Sequence, residues 1–198
     1  MNIAIIGKGN MGAALGKLAE QAGHTVTFGS QDPRQPVLPA IQGADLVILA
    51  VPYGVALALA ANTEISAALA GQRVVDVTNP LATDYMSLTI GHTTSAAEEI
   101  ARRLPGACVV KAFNTIFAEA LGRRANGERV VATVFVAGDD EETKRAVIGL
   151  AGSFGFEATD AGGLSNARYL EPVTELLIQL AYGKGMGTGI GFALVGAA

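Results

Sequence analysis

A glycine-rich turn near the start of the chain constrains its fold more than any other feature. Residues 3–6 are all apolar and predict a buried strand, and a helical pattern begins at Gly12. Between them, residues 7–12 (GKGNMG) have the spacing G-x-G-x-x-G. In such a turn the first glycine permits the tight bend, the second leaves room for a pyrophosphate, and the third lets helix and strand pack closely. This context between a strand and a helix predicts a dinucleotide site.

Composition predicts one globular chain and excludes several classes of partner. Half of the 198 residues are hydrophobic and 16% are charged, so the chain can bury a core. The net charge of −4 argues against nucleic acid or an anionic membrane surface as a partner. No signal peptide and no apolar run long enough to span a bilayer are recognised, so we expect a cytoplasmic protein.

Strand and helix patterns alternate along the chain. Apolar runs predict strands at 3–6, 24–28, 45–51, 73–78, 107–112, 129–137 and 157–160. Helical patterns lie at 12–22, 55–70, 94–104, 139–154 and 165–181, and residues 121–128 read as a surface loop. Apolar strands that alternate with helices imply a parallel sheet covered on both faces. The predicted fold is α/β, a Rossmann-type doubly wound parallel sheet (residues 1–160) with a small C-terminal helical extension (residues 161–198).

Residues that follow the predicted strands are the first candidates for binding. Ligands of such sheets bind beyond the carboxyl ends of the strands. The candidate cofactor-binding residues at these ends are Gly7, Gly9, Asn10, Met11, Gly12, Val51, Pro52, Tyr53, Asn79, Pro80, Ala112 and Asn114.

The end of the second predicted strand indicates which dinucleotide binds. An NAD-binding strand usually ends in Asp or Glu, which binds the ribose hydroxyls. Here Ser30 and Gln31 follow the strand, with Asp32 and Arg34 close behind. A ribose 2′-phosphate needs hydrogen-bond donors and a cation, which Ser30 and Arg34 can supply. We therefore predict NADP(H), bound near Ser30, Gln31 and Arg34. Asp32 keeps NAD open as the alternative, with Arg34 then a solvated loop charge.

The chain offers no obvious acid–base machinery. Its two histidines are His24, at the start of the second predicted strand, and His92, in a polar loop. No serine–tyrosine–lysine triad, metal-ligand cluster or G-x-S-x-G motif is recognised. We therefore predict no catalytic side chain and no metal ligand. The cofactor is expected to carry the chemistry by direct hydride transfer.

Further motifs identify a family. They are Ser30, Val51-Pro52, residues 76–81 (DVTNPL), residues 110–115 (VKAFNT), residues 160–168 (DAGGLSNAR) and residues 185–187 (GMG). With these in order, the chain resembles the NADP oxidoreductases that use the deazaflavin coenzyme F-420, and the broader group of dinucleotide-binding reductases. The match covers essentially the whole chain.

This resemblance implies an activity and a second site. It implies hydride transfer between NADPH and coenzyme F-420 or a flavin-like acceptor, in a homodimer whose small C-terminal extension closes the acceptor cleft. By position, Pro52 and Asn79 would border the nicotinamide ribose. Asn114, Leu164 and Met186 would lie near the hydride acceptor.

Two departures from the family pattern keep other functions open. Gln31 stands where the family has an arginine, and Asn114 stands where coenzyme F-420 reductases have a histidine. A flavin is therefore an alternative acceptor. Reduction of a small imine or carbonyl, and a non-enzymatic NADP(H)-binding sensor, are the alternative functions.

Overall fold

Seven strands form one sheet in the computed structural model, which describes residues 1–196. The strands are β1 (Asn2–Ile6), β2 (Thr25–Gly29), β3 (Leu46–Leu49), β4 (Arg73–Asp76), β5 (Cys108–Lys111), β6 (Thr133–Gly138) and β7 (Glu157–Asp160). Their order in the sheet is β2-β1-β3-β4-β5-β6-β7. This order reverses direction at β1, so the carboxyl ends of β1 and β3 form a switch point of the kind that binds ligands in α/β proteins.

The predicted parallel sheet is confirmed except at one pair of strands. β5 and β6 run antiparallel, with Val110 opposite Gly138, whereas the other neighbouring strands run parallel. An antiparallel pair needs no helix that returns the chain to the starting edge. β6 therefore begins at the carboxyl edge of β5, and its apolar residues gave no sign of this direction.

Helices cover both faces of the sheet, as predicted. They are α1 (Asn10–Gln21), α2 (Val37–Gln42), α3 (Tyr53–Ala61), α4 (Thr63–Leu69), α5 (Ala96–Arg103), α6 (Ala118–Ala125), α7 (Glu141–Ser153) and α8 (Ala167–Ile178). Leu15, Leu121 and Leu150 belong to the core on one face, and Ile41 and Ile100 to the core on the other. The doubly wound architecture is thereby confirmed.

Three local predictions need correction. The predicted helix 55–70 is two helices, because Asn62 caps α4 by accepting hydrogen bonds from the N–H groups of Glu64 and Ile65. The predicted loop 121–128 begins inside α6, which buries Leu121 and Ala125 despite its charged residues. The short helix α2 was not predicted, since its six residues carry too little periodicity.

The C-terminal segment is not separate from the main core. A 3-10 turn (Leu164–Asn166) leads into α8, and a π-helical turn (Gln179–Gly183) follows it. Leu164 and Ala167 pack in the same cluster as Ile100 of α5. The predicted division of the chain at residue 160 stays a prediction. The last two residues of the predicted extension, 197 and 198, lie outside the described part of the chain. None of the helices formed by residues 1–196 is both long and apolar enough for a membrane span.

Candidate functional site

The carboxyl ends of β1, β3 and β4 surround a central cavity of about 630 Å³. Parallel pairing aligns these ends, because Ile6 lies opposite Leu49 and Leu49 opposite Asp76. The lining includes these predicted residues: Gly9, Asn10, Met11, Val51, Pro52, Tyr53 and Asn79. The fold thus gathers residues that are up to 70 positions apart in the sequence into one cavity.

Each glycine of the loop has a geometric reason to be there. Gly7 has a φ of +107°, and a Cβ on it would lie 2.2 Å from the carbonyl oxygen of Ala50. A Cβ on Gly12 would lie 2.0 Å from the carbonyl oxygen of Gly7, so strand and helix can approach only without one. A Cβ on Gly9 would meet no atom within 4 Å. Gly7 and Gly12 therefore shape the turn, whereas Gly9 keeps open space in front of α1.

The N-terminus of α1 points its donors into that space. Gly9 is the N-cap of α1 and provides no side-chain cap. The first N–H groups of a helix have no acceptor within the helix, and the helix dipole makes this end positive. Open space beside such donors is the geometry that binds a phosphate group. The residues present therefore fit the pyrophosphate of a dinucleotide.

A second cavity of about 500 Å³ lies beyond the end of β2, and two cationic side chains are part of its lining. Lys8, Ser30, Asp32, Arg34 and Gln35 line it. Arg34 is 87% exposed and donates to both carboxylate oxygens of Asp32, at 3.0 and 2.7 Å. This hydrogen bonding to Arg34 holds the pKa of Asp32 below its ordinary value. Asp32 is thus a charged partner of Arg34 at neutral pH.

Sequence reasoning missed Lys8 in this cavity and included Gln31, which lies outside its lining. The Lys8 ammonium sits 5.2 Å from the centre of the Phe28 ring, a cation–π distance. Gln31 is exposed, and Gln35 takes a place in the lining instead. A signal for Lys8 was present, because it occupies the variable position between the first two glycines of the loop.

A third cavity, of about 530 Å³ and mostly apolar, adjoins the central one. Leu81 and Tyr85 line both cavities. The rest of the apolar wall is Met86, Phe117, Ile178 and Tyr182, and Asp84 is the charged residue in it. The Phe117 and Tyr182 rings meet edge to face, with centroids 6.2 Å apart. The sequence did not single out these aromatic residues, since they come from three separate segments.

The π-helical turn after α8 holds one wall of this apolar cavity. Gln179 donates from Nε2 to the carbonyl oxygen of Met86 at 2.6 Å, which joins the turn to the loop of residues 81–86. Tyr182 lies within the same turn. Met186 follows it, is exposed, and is absent from the lining, although it was predicted near the acceptor.

Asn114 is buried and forms a hydrogen bond with a residue that lines the central cavity. Its Nδ2 donates to Oδ1 of Asn79 at 3.0 Å and to Oγ1 of Thr174 at 3.0 Å. It therefore connects the loop after β4 with α8. Leu164 lies in the core near Ile100 instead of at the cavities. Asn114 thus contacts the lining of the central cavity through Asn79, whereas Leu164 lines neither cavity.

Ala112 and Pro80, two further predicted binding residues, are buried. Ala112 is fully buried at the end of β5, and its N–H donates to the carbonyl oxygen of Asp76 at 3.2 Å. Pro80 is buried, and its carbonyl oxygen accepts from the N–H of Thr89 at 2.7 Å. Both residues shape the strand ends without lining a cavity.

A fully buried ammonium group lies behind the same edge. Lys111 has no exposed surface, and its Nζ lies 2.8 Å from Oδ2 of Asp76 and 2.8 Å from Oε1 of Glu171. Nζ also donates to the carbonyl oxygen of Thr78 at 2.5 Å. Burial by itself lowers the pKa of Lys111, but the two carboxylates outweigh burial and raise that pKa above its ordinary value. The lysine is therefore charged. No local pattern in the sequence indicates these partners.

Comparison with known proteins decides the family. The chain is 32% identical to the F420-dependent NADP reductase of Methanothermobacter marburgensis, and the match covers 91% of this chain and 92% of that protein. The chain belongs to the F420-dependent NADP reductase family. No protein-family model matches it.

A solved structure agrees with this assignment, and a further relative is similar over part of its length. The crystal structure of a "putative f420 dependent nadp-reductase" from Arthrobacter sp. FB24 matches this family member with a TM-score of 0.84 and 28% identity, over 98% of both chains. The metalloreductase STEAP3 of Rattus norvegicus is 31% identical over 188 residues, but the match spans only 36% of that longer protein. The Rossmann-like fold is thus shared with a solved structure along nearly its whole length.

Substitution of Gly9 by valine tests the pyrophosphate site. Since Gly9 has a φ of −74° and open space around it, we expect Gly9→Val to fold normally and to lose NADPH binding. Calorimetric titration with NADPH, beside urea unfolding, would measure both. Gly43→Val is the matched control, because Gly43 also has open surroundings but lies after α2. Tight NADPH binding by folded Gly9→Val would contradict the site.

Proposed function

We propose that this family member transfers hydride between NADPH and coenzyme F-420 or a flavin-like ring. The observation that carries the proposal is the pair of adjoining cavities that share Leu81 and Tyr85. One cavity begins at the phosphate-binding turn, and the other is apolar and partly aromatic. Hydride transfer needs two rings side by side, and cavities that share lining residues place their occupants next to each other. The names of the curated F420-dependent relatives agree with it.

The dinucleotide would lie along the carboxyl edge of the sheet. The N–H groups at the start of α1 bind the pyrophosphate, and Gly9 leaves the space for it. Lys8, Ser30 and Arg34 hold the ribose 2′-phosphate, which explains the preference for NADP(H) without an arginine at position 31. Pro52 and Asn79 border the nicotinamide ribose in the central cavity. When bound, the nicotinamide supplies or accepts the hydride.

The apolar cavity suits the second ring. Tyr85, Phe117 and Tyr182 present aromatic surface to a planar acceptor and exclude water from the reacting atoms. The titratable side chains that line the central and apolar cavities, within residues 1–196, are three tyrosines and Asp84. Burial of Tyr53 is the main cause that raises its pKa, so this phenol stays protonated at neutral pH. Direct transfer between rings uses such a site without a protein base.

We infer that the protein forms a homodimer through α8. This helix exposes Tyr169 and Leu176, which are seven residues apart and therefore lie on one face of the helix. Val173 lies between them and is half-buried. An apolar helix face can pack against its own copy about a two-fold axis.

Turnover with defined acceptors tests the activity. We expect NADPH absorbance to fall when coenzyme F-420 or FMN is added to the protein, and to stay constant with the acceptor omitted. NADH should react more slowly at equal concentration. Tight NADPH binding without reaction with either acceptor would instead favour a sensor. Reaction with imines or carbonyls alone would favour the alternative reductase.

The 2′-phosphate site is tested by removing its cations. We expect Arg34→Ala and Lys8→Ala each to weaken NADPH binding by about tenfold, because a charge-assisted contact is lost, and to leave NADH binding unchanged. Titration calorimetry measures both ligands. Arg145→Ala is the control, since Arg145 is exposed on α7, away from these cavities. Equal effects on NADPH and NADH would make these residues solvated loop charges.

The dimer is tested by a charge on its proposed face. We expect Leu176→Glu to convert a dimer into a monomer, because the buried charges of the two copies would repel each other across the axis. Sedimentation velocity measures the change. Val131→Glu is the control, as Val131 is an exposed apolar residue on another surface. A monomeric unmodified protein would refute the dimer directly.

A further inference from the structure

The buried Lys111 ammonium needs a reason beyond stability. Its ion pairs with Asp76 and Glu171 are fully buried, and charges removed from water cost free energy that a buried ion pair barely recovers. Apolar side chains of similar size could fill the same space. The position of the group is informative, because it lies directly behind the loop that borders the central cavity.

We propose that Lys111, together with Asp76 and Glu171, is a positioning group. It holds residues 78 and 79, which line the nicotinamide site, at a fixed distance from α8, which carries part of the acceptor cavity. This inference rests on the proposed function. The first support is the backbone of Thr78, whose N–H and carbonyl oxygen are both held. Its N–H donates to Oδ1 of Asp76 at 2.8 Å, and its carbonyl oxygen accepts from Lys111 at 2.5 Å. Thr78 and the next residue, Asn79, both line the central cavity.

The second observation that supports the proposal is Glu171, a residue of α8 that links this helix to Lys111. Its carboxylate binds Lys111 and also accepts from the N–H of Ala96 at 2.9 Å and of Ala97 at 3.3 Å, at the start of α5. Both oxygens of the carboxylate therefore have partners, which hold the group in one orientation. Lys111 thus joins β4, β5, α5 and α8 at one point.

The same helix carries the acceptor wall. Two turns beyond Glu171, Ile178 lines the apolar cavity, and the π-helical turn after it contributes Tyr182. Any shift of α8 relative to Thr78 would therefore change the distance between the two cavities. Lys111 sets this distance through contacts on both sides, although it touches neither ring.

The phosphate sites lie outside this network. They are built from the turn after β1, the start of α1 and the segment after β2, and none of the hydrogen bonds of Lys111 reaches them. Loss of Lys111 should consequently affect the nicotinamide half of the cofactor and spare the adenosine half. A group that only stabilised the fold would affect both halves alike.

Comparison of two ligands tests this distinction. NADPH contains the nicotinamide and its ribose, whereas 2′-phospho-ADP, an adenosine 2′-phosphate 5′-diphosphate, shares the adenosine and the phosphates but lacks both. In Lys111→Met we expect the Kd for NADPH to rise about tenfold, and that for 2′-phospho-ADP to change by less than about twofold. The rate of hydride transfer should fall further, by about 100-fold, since small misplacements of reacting groups have effects of that size.

Two further variants keep the test decisive. Lys144→Met is the control, because Lys144 is also nearly buried and paired with Asp160, but lies beside β7. It should leave both dissociation constants unchanged. If Lys111→Met does not fold, Lys111→Met with Glu171→Gln carries the test, since it removes one charge of each sign.

Several results would overturn the proposal. They are equal weakening of both ligands, no change for either ligand in a folded variant, or failure of both Lys111 variants to fold. The proposed function fails separately, if the unmodified protein transfers no hydride to coenzyme F-420 or FMN. The two dissociation constants still decide the role of Lys111 in that case, because they need no turnover.

Discussion

The contact between Gly12 and the carbonyl oxygen of Gly7 determines where everything else in the site can lie. A Cβ at Gly12 would come within 2.0 Å of that oxygen, so α1 can start at the end of β1 only because glycine is there. The contact aims the positive end of the helix at open space. Parallel pairing then carries the ends of β3 and β4 to the same edge, since Ile6, Leu49 and Asp76 are in register.

The three cavities at this edge differ in chemistry in a regular order. The cavity at Lys8 and Arg34 is polar and cationic, the central cavity has the backbone donors at the start of α1, and the cavity at Phe117 and Tyr182 is apolar. A charged phosphate, a ribose and a planar ring have matching requirements in that order. This gradient gives the family assignment a physical basis in this chain's own residues.

Much of the sheet was predictable, because each buried strand is a local run of apolar residues. β7 occurs at 157–160 as predicted, and α5 lies within the predicted helix 94–104, where Ser95 caps it by accepting from the N–H of Glu98. The failures were of a different kind. The charged residues of α6 suggested a loop, but one face of that helix packs on α1. The direction of β6 depends on how the chain crosses the molecule, and no local pattern encodes that.

The sequence by itself determined the phosphate-binding turn, the alternation of strands and helices, and the neutral end of β2, because each depends on residues close together in the chain. Tertiary structure alone decided the rest of the site. Lys111 meets Asp76 across 35 positions, Asn114 meets Thr174 across 60, and Gln179 meets Met86 across 93. Such pairs leave no periodic signal, since they exist only after the sheet and α8 have packed. The physical reason is that the sequence fixes local backbone geometry, whereas packing determines which distant polar groups must satisfy one another.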